Sequence, residues 1–432
     1  MSAEIALSRT ADLINAEFFE GRASTEAVVN GLMASTVRLV ADERNCSTRA
    51  GQAAIATSFQ LIARMGIGIE LLVPDTPLVA AISPLRRHTL CSALLDLGSD
   101  LIPGATVRDR AARSDAEFVF GSSRAASSDA IEVSCTAFSC SLGHLSPTET
   151  AIDAEYPLGG LAAGTATSAL ALDAALPRIE EATGLRRTKR PRPRLGPPAS
   201  IELTRLFPGL TSAHPIDIGS IDIVSAGAVS NALIWTLVFL PDLTGRLRVF
   251  DADVVELHNI NRCTQFRASD VGLAKARILE DSSSKSLTIS AVPAMFEGTQ
   301  IAGEPPLVDR VAVGVDRIEA RWTVQQEWPT HLYIAGTSNK EAVLTTHHPG
   351  GPCAGCAHPT AAAQLHNIPT ISFVSYWAGL LQGCAILEEH AVEAPARRIT
   401  VFPMGLGEQT WGMTAHLRPN PRCPIPCQAS RA

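Results

Sequence analysis

The feature that most constrains this chain is an alternation that runs, stops and then starts again. Short apolar runs such as Thr36 to Ala41 (TVRLVA), Gly66 to Val73 and Ala116 to Phe120 have the length and β-branched content of buried strands. Ile131 to Ser139 continues the series. Longer segments lie among them. Thr48 to Met65 reads as a helix with Ser47 or Thr48 near its cap, and the Ala-rich stretch Leu158 to Glu181 as a long buried helix. The pattern then breaks at LRRTKRPRPRLGPP, residues 185–198, which has no apolar periodicity. That segment reads as a solvated linker, with a nucleic-acid contact as the alternative.

Beyond the break the alternation resumes. Strands are expected at Ile221 to Ser225, Arg246 to Phe250, Leu287 to Val292, Val311 to Val315, His331 to Ala335, Ala342 to Thr346 and Arg398 to Phe402. Helices are expected at Ala228 to Leu240, Ile318 to Glu327 and Tyr376 to Glu388. Strands alternating with helices predict parallel sheets covered on both faces, and two such runs suggest a duplicated architecture. The 432 residues suffice for two domains: 1–184, and 199–432 after a linker at 185–198.

Composition narrows the class. Hydrophobic residues make up 46% and charged residues 18%, which excludes a disordered chain. A net charge of −7 offers no reason to expect nucleic acid as the main partner. The longest apolar candidate, Ala232 to Leu240, is too short to span a bilayer, so no membrane association is expected. The segment MSAEIALSRTADLINAEFF lacks the basic start and apolar run of a signal peptide. A cytoplasmic protein is the expectation.

The chemistry concentrates in the second half. IDIVSAGAVSNALIW places a small-residue turn between a strand and a helix, a geometry that aims backbone amides at an anion. Ser225, Gly227 and Ser230 occupy the spaced positions, so one glycine remains of the usual three. A tight turn without a ligand explains this segment as well as a nucleotide does. The next strand ends in VFDADVV, with Asp251 and Asp253 at the edge where such sheets bind ligands. Either acid could hold ribose hydroxyls or cap a turn.

The run that follows is more specific. Asp251-Ala-Asp253, then His258-Asn259-Ile-Asn261-Arg262-Cys263, then Asp270-Val-Gly272-Leu-Ala-Lys275 resembles the adenylating superfamily of ubiquitin-activating enzymes and the bacterial molybdopterin- and thiamine-pathway activators. The resemblance covers roughly residues 215–427. It implies two Rossmann-like doubly wound α/β domains, an inactive adenylation half followed by an active one with a C-terminal zinc-binding extension. It further implies ATP, with Mg²⁺, used to adenylate the C-terminal carboxylate of a ubiquitin-like protein. Arg262 and Lys275 would supply positive charge, Asn259 would orient a phosphate, Asp253 would bind the ribose and Asp316 would hold magnesium. Ser225, Gly227, Asp251 and Asn261 complete the expected nucleotide site. Adenylation expels pyrophosphate, so catalysis by positioning and fixed charge suits these residue types.

Two cysteine pairs, Cys353 with Cys356 and Cys423 with Cys427, read as a Cys₄ zinc site, and the resembling family has a pair in each place. A redox dithiol is the weaker alternative. Many relatives go on to form a thioester on a cysteine in the loop after the first pair. In this chain that loop, residues 357–370, contains no cysteine. Three outcomes follow: a halt at the acyl-adenylate, which is the preferred reading, an unexpected acceptor such as Cys263, or an ester on a hydroxyl such as Thr360. Cys384 reads as a packing residue.

The first half lacks the Asn-x-x-Arg run, the lysine and the metal-binding acid. In relatives such a half completes a dimer interface and can lend an arginine; Arg49 is a candidate, against the simpler reading of a helix-start arginine. The layout implies a homodimer and a conjugating enzyme as downstream partner, and the family analogy extends to bacterial antiphage defence. A sulfur-carrier activator and a non-catalytic scaffold are the competing readings. A nicotinamide-dependent oxidoreductase leaves Arg262, Lys275 and the cysteine pairs without a role.

Overall fold

The computed structural model describes residues 2–80, 82–108, 114–121, 129–144, 152, 154–188, 199–213, 215–298, 306–338, 341–360, 370–391, 396–405, 411–425 and 427. Most of the 185–198 segment and of the 357–370 loop lies outside them.

Two sheets share one plan. The first contains β1 (Thr36–Ala41), β2 (Gly68–Leu72), β3 (Val107–Arg108), β4 (Ala116–Phe120), β5 (Ile131–Cys135), β6 (Ser139–Gly143) and β7 (Ala199–Glu202). Its order is β3-β2-β1-β4-β5-β6-β7, parallel from β3 to β5 and antiparallel thereafter. The second contains β8 (Ile216–Val224), β9 (Leu243–Phe250), β10 (Leu287–Val292), β11 (Arg310–Val313), β12 (His331–Thr337), β13 (Ala342–His347), β14 (Arg397–Val401) and β15 (Gly412–His416). Its order, β10-β9-β8-β11-β12-β13-β14-β15, repeats the parallel five and then adds three antiparallel strands. In both sheets strand order reverses beside the first strand, between β1 and β4 and between β8 and β11. Such a switch point opens a crevice at the strands' carboxyl ends.

The expected run Ile131 to Ser139 is two strands, β5 and β6, paired antiparallel through Cys135 and Cys140. Thr136 makes the reversal. Its N–H donates to the Ser139 carbonyl, and its hydroxyl accepts from the Ser139 amide. The strand β7, beyond the Arg/Pro-rich segment, joins the first sheet rather than the second.

The helices against the sheets are also arranged alike. The helix Arg49–Ala63 follows β1 and packs along Leu158–Thr183; the helix Ala228–Val238 follows β8 and packs along Ser372–Ala391. Small residues make the approach possible. A Cβ on Gly160 would lie 2.2 Å from the Ala50 carbonyl oxygen, and one on Gly379 would lie 2.5 Å from Ala232 Cβ. One hydrophobic core runs through both halves, from Ala6 to Trp411. Trp235 of the second half donates its indole N–H to the Thr57 hydroxyl of the first at 3.0 Å, so the side chain is buried without an orphaned donor. Among the described residues no helix is long and apolar enough to cross a membrane.

Candidate active site

The switch point of the second sheet is an open cleft of about 550 Å³. Its floor is the turn after β8. Ser225 holds a positive φ of 96°, a conformation that favours glycine, and the strain is offset by its bonds. Its amide donates to the Phe250 carbonyl and its hydroxyl accepts from Gly227. Gly227 caps the helix Ala228–Val238 without a side-chain hydrogen bond, which leaves the positive helix end facing the cleft. Ser230 is fully buried, its hydroxyl 2.8 Å from where a Cβ on Gly314 would stand, so it packs beneath the cleft rather than lining it.

The two acids at the end of β9 have different roles. Asp251 is half-buried and accepts from the amides of Ala226 (2.6 Å) and Asp253 (2.8 Å), so it holds the floor turn in shape. Burial pushes its carboxyl above the usual range despite those bonds. Asp253 is exposed and pairs with Lys275 Nζ at 2.8 Å. Lys275 begins the helix Lys275–Glu280, and its amide donates to the Asp253 carbonyl, which ties the second wall to the first.

The wall between them is the 256–263 segment. Asn259 accepts the Glu256 amide at 2.9 Å and lines the cleft. Arg262 is 9% exposed, donates to the His258 carbonyl and to Asn261 Oδ1, and projects into the cleft. Burial brings its guanidinium down to about 10, still charged at neutral pH. Asp316 is exposed at the opposite lip, after β11. Asn261 is the one expected nucleotide residue that does not line the cleft. It is fully buried and donates to Thr10 Oγ1 at 2.9 Å, so it orients Arg262 from behind.

Besides Arg317, exposed at the lip beside Asp316, two cations in the cleft carry no signal in the sequence. Arg321 reaches in from the helix Ile318–Gln325, its guanidinium held by the Val315 carbonyl at 2.9 Å. Arg9 comes from the first half, on the helix Ala3–Phe18, and lies 3.4 Å from His258 Nε2. Arg49, the arginine singled out from the sequence, instead donates to the Phe239 carbonyl at 3.2 Å and is no part of the cleft lining. A third arginine acts from beneath. Arg64 is wholly buried and donates to the carbonyls of Ile260, Thr264 and Phe266 at 2.7, 2.8 and 2.9 Å. It clamps the segment that carries Asn259 and Arg262.

The four cysteines meet in one cluster. Cys353–Cys423 and Cys356–Cys427 sulfur distances are 3.4 and 3.6 Å, and Cys353–Cys356 and Cys423–Cys427 are both 4.0 Å. Zn–S bonds of about 2.3 Å in a tetrahedron set sulfurs about 3.8 Å apart. The donor set therefore fits zinc. Cys263 lines the cleft but is 2% exposed, and burial raises its thiol despite the cations nearby. Cys384 is fully buried in the helix Ser372–Ala391, as its apolar surroundings predict.

Residues 223–392 match the ThiF family. A curated protein of Sinorhizobium fredii, described as uncharacterized protein y4jF, is 28% identical over 147 residues, which are 33% of this chain and 28% of that protein. Among solved structures, E. coli MccB is similar over 49% of this chain and 64% of its own, at 16% identity and a TM-score of 0.38. The microcin C7 biosynthetic enzyme MccB, in complex with N-formylated MccA, shares 18% identity over 49% of this chain and 67% of its own, with a TM-score of 0.37. The chain thus spans about a quarter of the curated relative and under two thirds of the first of these MccB structures.

Proposed function

We propose that this chain, whose residues 223–392 are a ThiF-family domain, adenylates the C-terminal carboxylate of a ubiquitin-like protein. One observation carries the reading. The fold gathers Asp253, Asn259, Arg262, Lys275 and Asp316, scattered over more than sixty residues, around one cleft at the switch point.

The geometry suits the chemistry. A substrate carboxylate oxygen attacks the α-phosphorus of ATP, a P–O bond forms, and the bond to the β-phosphate bridging oxygen breaks to release pyrophosphate. Negative charge grows on the phosphate oxygens. Arg262 meets it with a guanidinium already held by His258 and Asn261, so little reorganisation is needed in the transition state. Lys275, beside Asp253, and Arg9, brought by the first half, add charge from two other directions. Asp253 serves the ribose at the end of β9. Asp316, an exposed carboxylate with room for water, is the donor type on which magnesium relies; bound there, the ion would neutralise the triphosphate. The four cysteines would hold zinc as a structural clasp on the C-terminal segment.

Burial and a raised thiol disfavour Cys263 as a nucleophile, which supports the acyl-adenylate over a thioester there as the species passed on, to a conjugating enzyme. The first half serves as an inactive adenylation domain that completes the site, within a homodimer.

Exchange of radiolabelled pyrophosphate into ATP, dependent on a small protein with a Gly-ended tail, tests the reading. Arg262→Ala should lower exchange by about a thousandfold and Asp316→Ala should lower it strongly as well. Full activity in both variants refutes the site, and mass spectrometry of the enzyme trapped with its modifier should show no covalent acyl-enzyme.

A further inference from the structure

One cluster of ligating side chains lies far from the cleft and has no part in adenylation. His331 opens β12, the strand whose other end, Gly336 and Thr337, lines the cleft. His348 follows β13. The antiparallel register pairs Leu332 with His347, so His331 and His348 face each other one step further out. Their rings stand 5.2 Å apart and nearly perpendicular. Glu389, near the end of the helix Ser372–Ala391, inserts its carboxylate between them. One oxygen is 2.9 Å from His331 Nδ1, the other 3.4 Å from His348 Nε2.

We propose that His331, His348 and Glu389 form a divalent-metal site, distinct from the four cysteines and suited to zinc. Two imidazole nitrogens and one carboxylate oxygen are the donor set of three-ligand zinc sites, in which water completes the tetrahedron. All three ligand atoms lie within 4.8 Å of one another. Zinc bonds of about 2.0–2.2 Å bring such atoms to about 3.4 Å. The side chains of His331 and His348 are 23% and 19% exposed, while the nitrogens and oxygens that face one another are themselves shut off from solvent, so an entering ion would carry in the water that serves as its fourth ligand. Glu389 is 2% exposed at its side chain and cannot move away. Soft thiolates are absent from the set, and a seat for magnesium or calcium would be built from oxygens alone.

The site would act as a clasp. Ser375 of the same helix lines the cleft and Glu389 lies fourteen residues, about 21 Å, further along it. A metal bound to β12, the turn after β13 and this helix would therefore fix the helix that the cleft leans on.

The test uses the full-length chain, freed of metal with a chelator and titrated with Co²⁺ and Zn²⁺. Wild type should bind one equivalent more than Glu389→Gln and one more than His348→Ala, with the extra Co²⁺ absorbance typical of nitrogen and oxygen ligands rather than of thiolate. Equal stoichiometry and equal spectra in wild type and Glu389→Gln overturn the proposal. Circular dichroism checks that each variant folds. A second measurement needs no variant: Zn²⁺ should protect His348 of the wild-type protein from carbethoxylation at least tenfold, read by peptide mass spectrometry. Undiminished labelling at saturating Zn²⁺ overturns the site as well.

Discussion

The two switch points of this molecule are built on the same strand order, and one is closed where the other is open. After β1, Asp42 accepts the amide of Asn45 at 2.9 Å and its side-chain N–H at 2.7 Å, which folds the chain back into the crevice. Asn45 is 2% exposed and sits so close to Gly121, at the end of β4, that a Cβ there would lie 2.2 Å away. The helix that follows is capped by protein. Thr48 accepts the Gly51 amide, and Ala50 donates to the Ala154 carbonyl. After β8 the same positions hold Ser225 and Gly227, the helix has no side-chain cap, and a cleft of about 550 Å³ remains. One sheet caps its helix with a side chain; the other leaves the helix end uncapped and facing an open cleft. The closed half is still part of the open site. It sends in Arg9, supports Asn261 through Thr10, and grips the 260–266 segment with Arg64.

This contrast can be broken in graded ways. The largest effect should come from Arg262→Ala, which removes fixed charge from the open cleft and should lower pyrophosphate exchange by about a thousandfold. Arg64→Met comes next. It leaves three buried carbonyls without donors and should cost about 3 kcal/mol or more in urea unfolding, with a parallel loss of exchange because Arg262 loses its support. If exchange survives while stability falls, the closed half is a scaffold and not a partner in the site. Arg9→Ala should reduce exchange about ten- to a hundredfold with stability unchanged, whereas Arg49→Ala should leave exchange as it is. Asn45→Ala, in the closed crevice, should cost about 1–2 kcal/mol on thermal melting and spare exchange. The smallest effect should be Ser225→Gly. Relief of the strained backbone is set against loss of the hydroxyl that accepts the Gly227 amide, so the melting temperature should move by the equivalent of less than about 1 kcal/mol.

The fold was largely legible where apolar periodicity is strong. TVRLVA is β1 to the residue, and Thr48 is the cap of the helix it was expected to cap. The failures have reasons. Gly412–His416 is an exposed edge strand, and with one face in solvent it shows no apolar run. Ile131 to Ser139 carries β-forming residues throughout, so only the reversal at Thr136 divides it. The cleft residues with a fixed spacing, Asp251 to Lys275, were legible as a run; Arg9 and Arg321 were not, because nothing near them in sequence marks where they point.

By itself the sequence determined two α/β halves, the run of residues that lines the cleft of the second, and four cysteines able to share a metal. These are local matters of period, turn chemistry and spacing, and they survive without knowledge of the partner elements. Only the tertiary structure decided which arginine of the first half enters the cleft. It likewise decided that Asn261 stands behind Arg262, and that His331, His348 and Glu389 converge. Such encounters depend on strand order and register, which bring together residues as far apart as Thr10 and Asn261, and no local pattern encodes them.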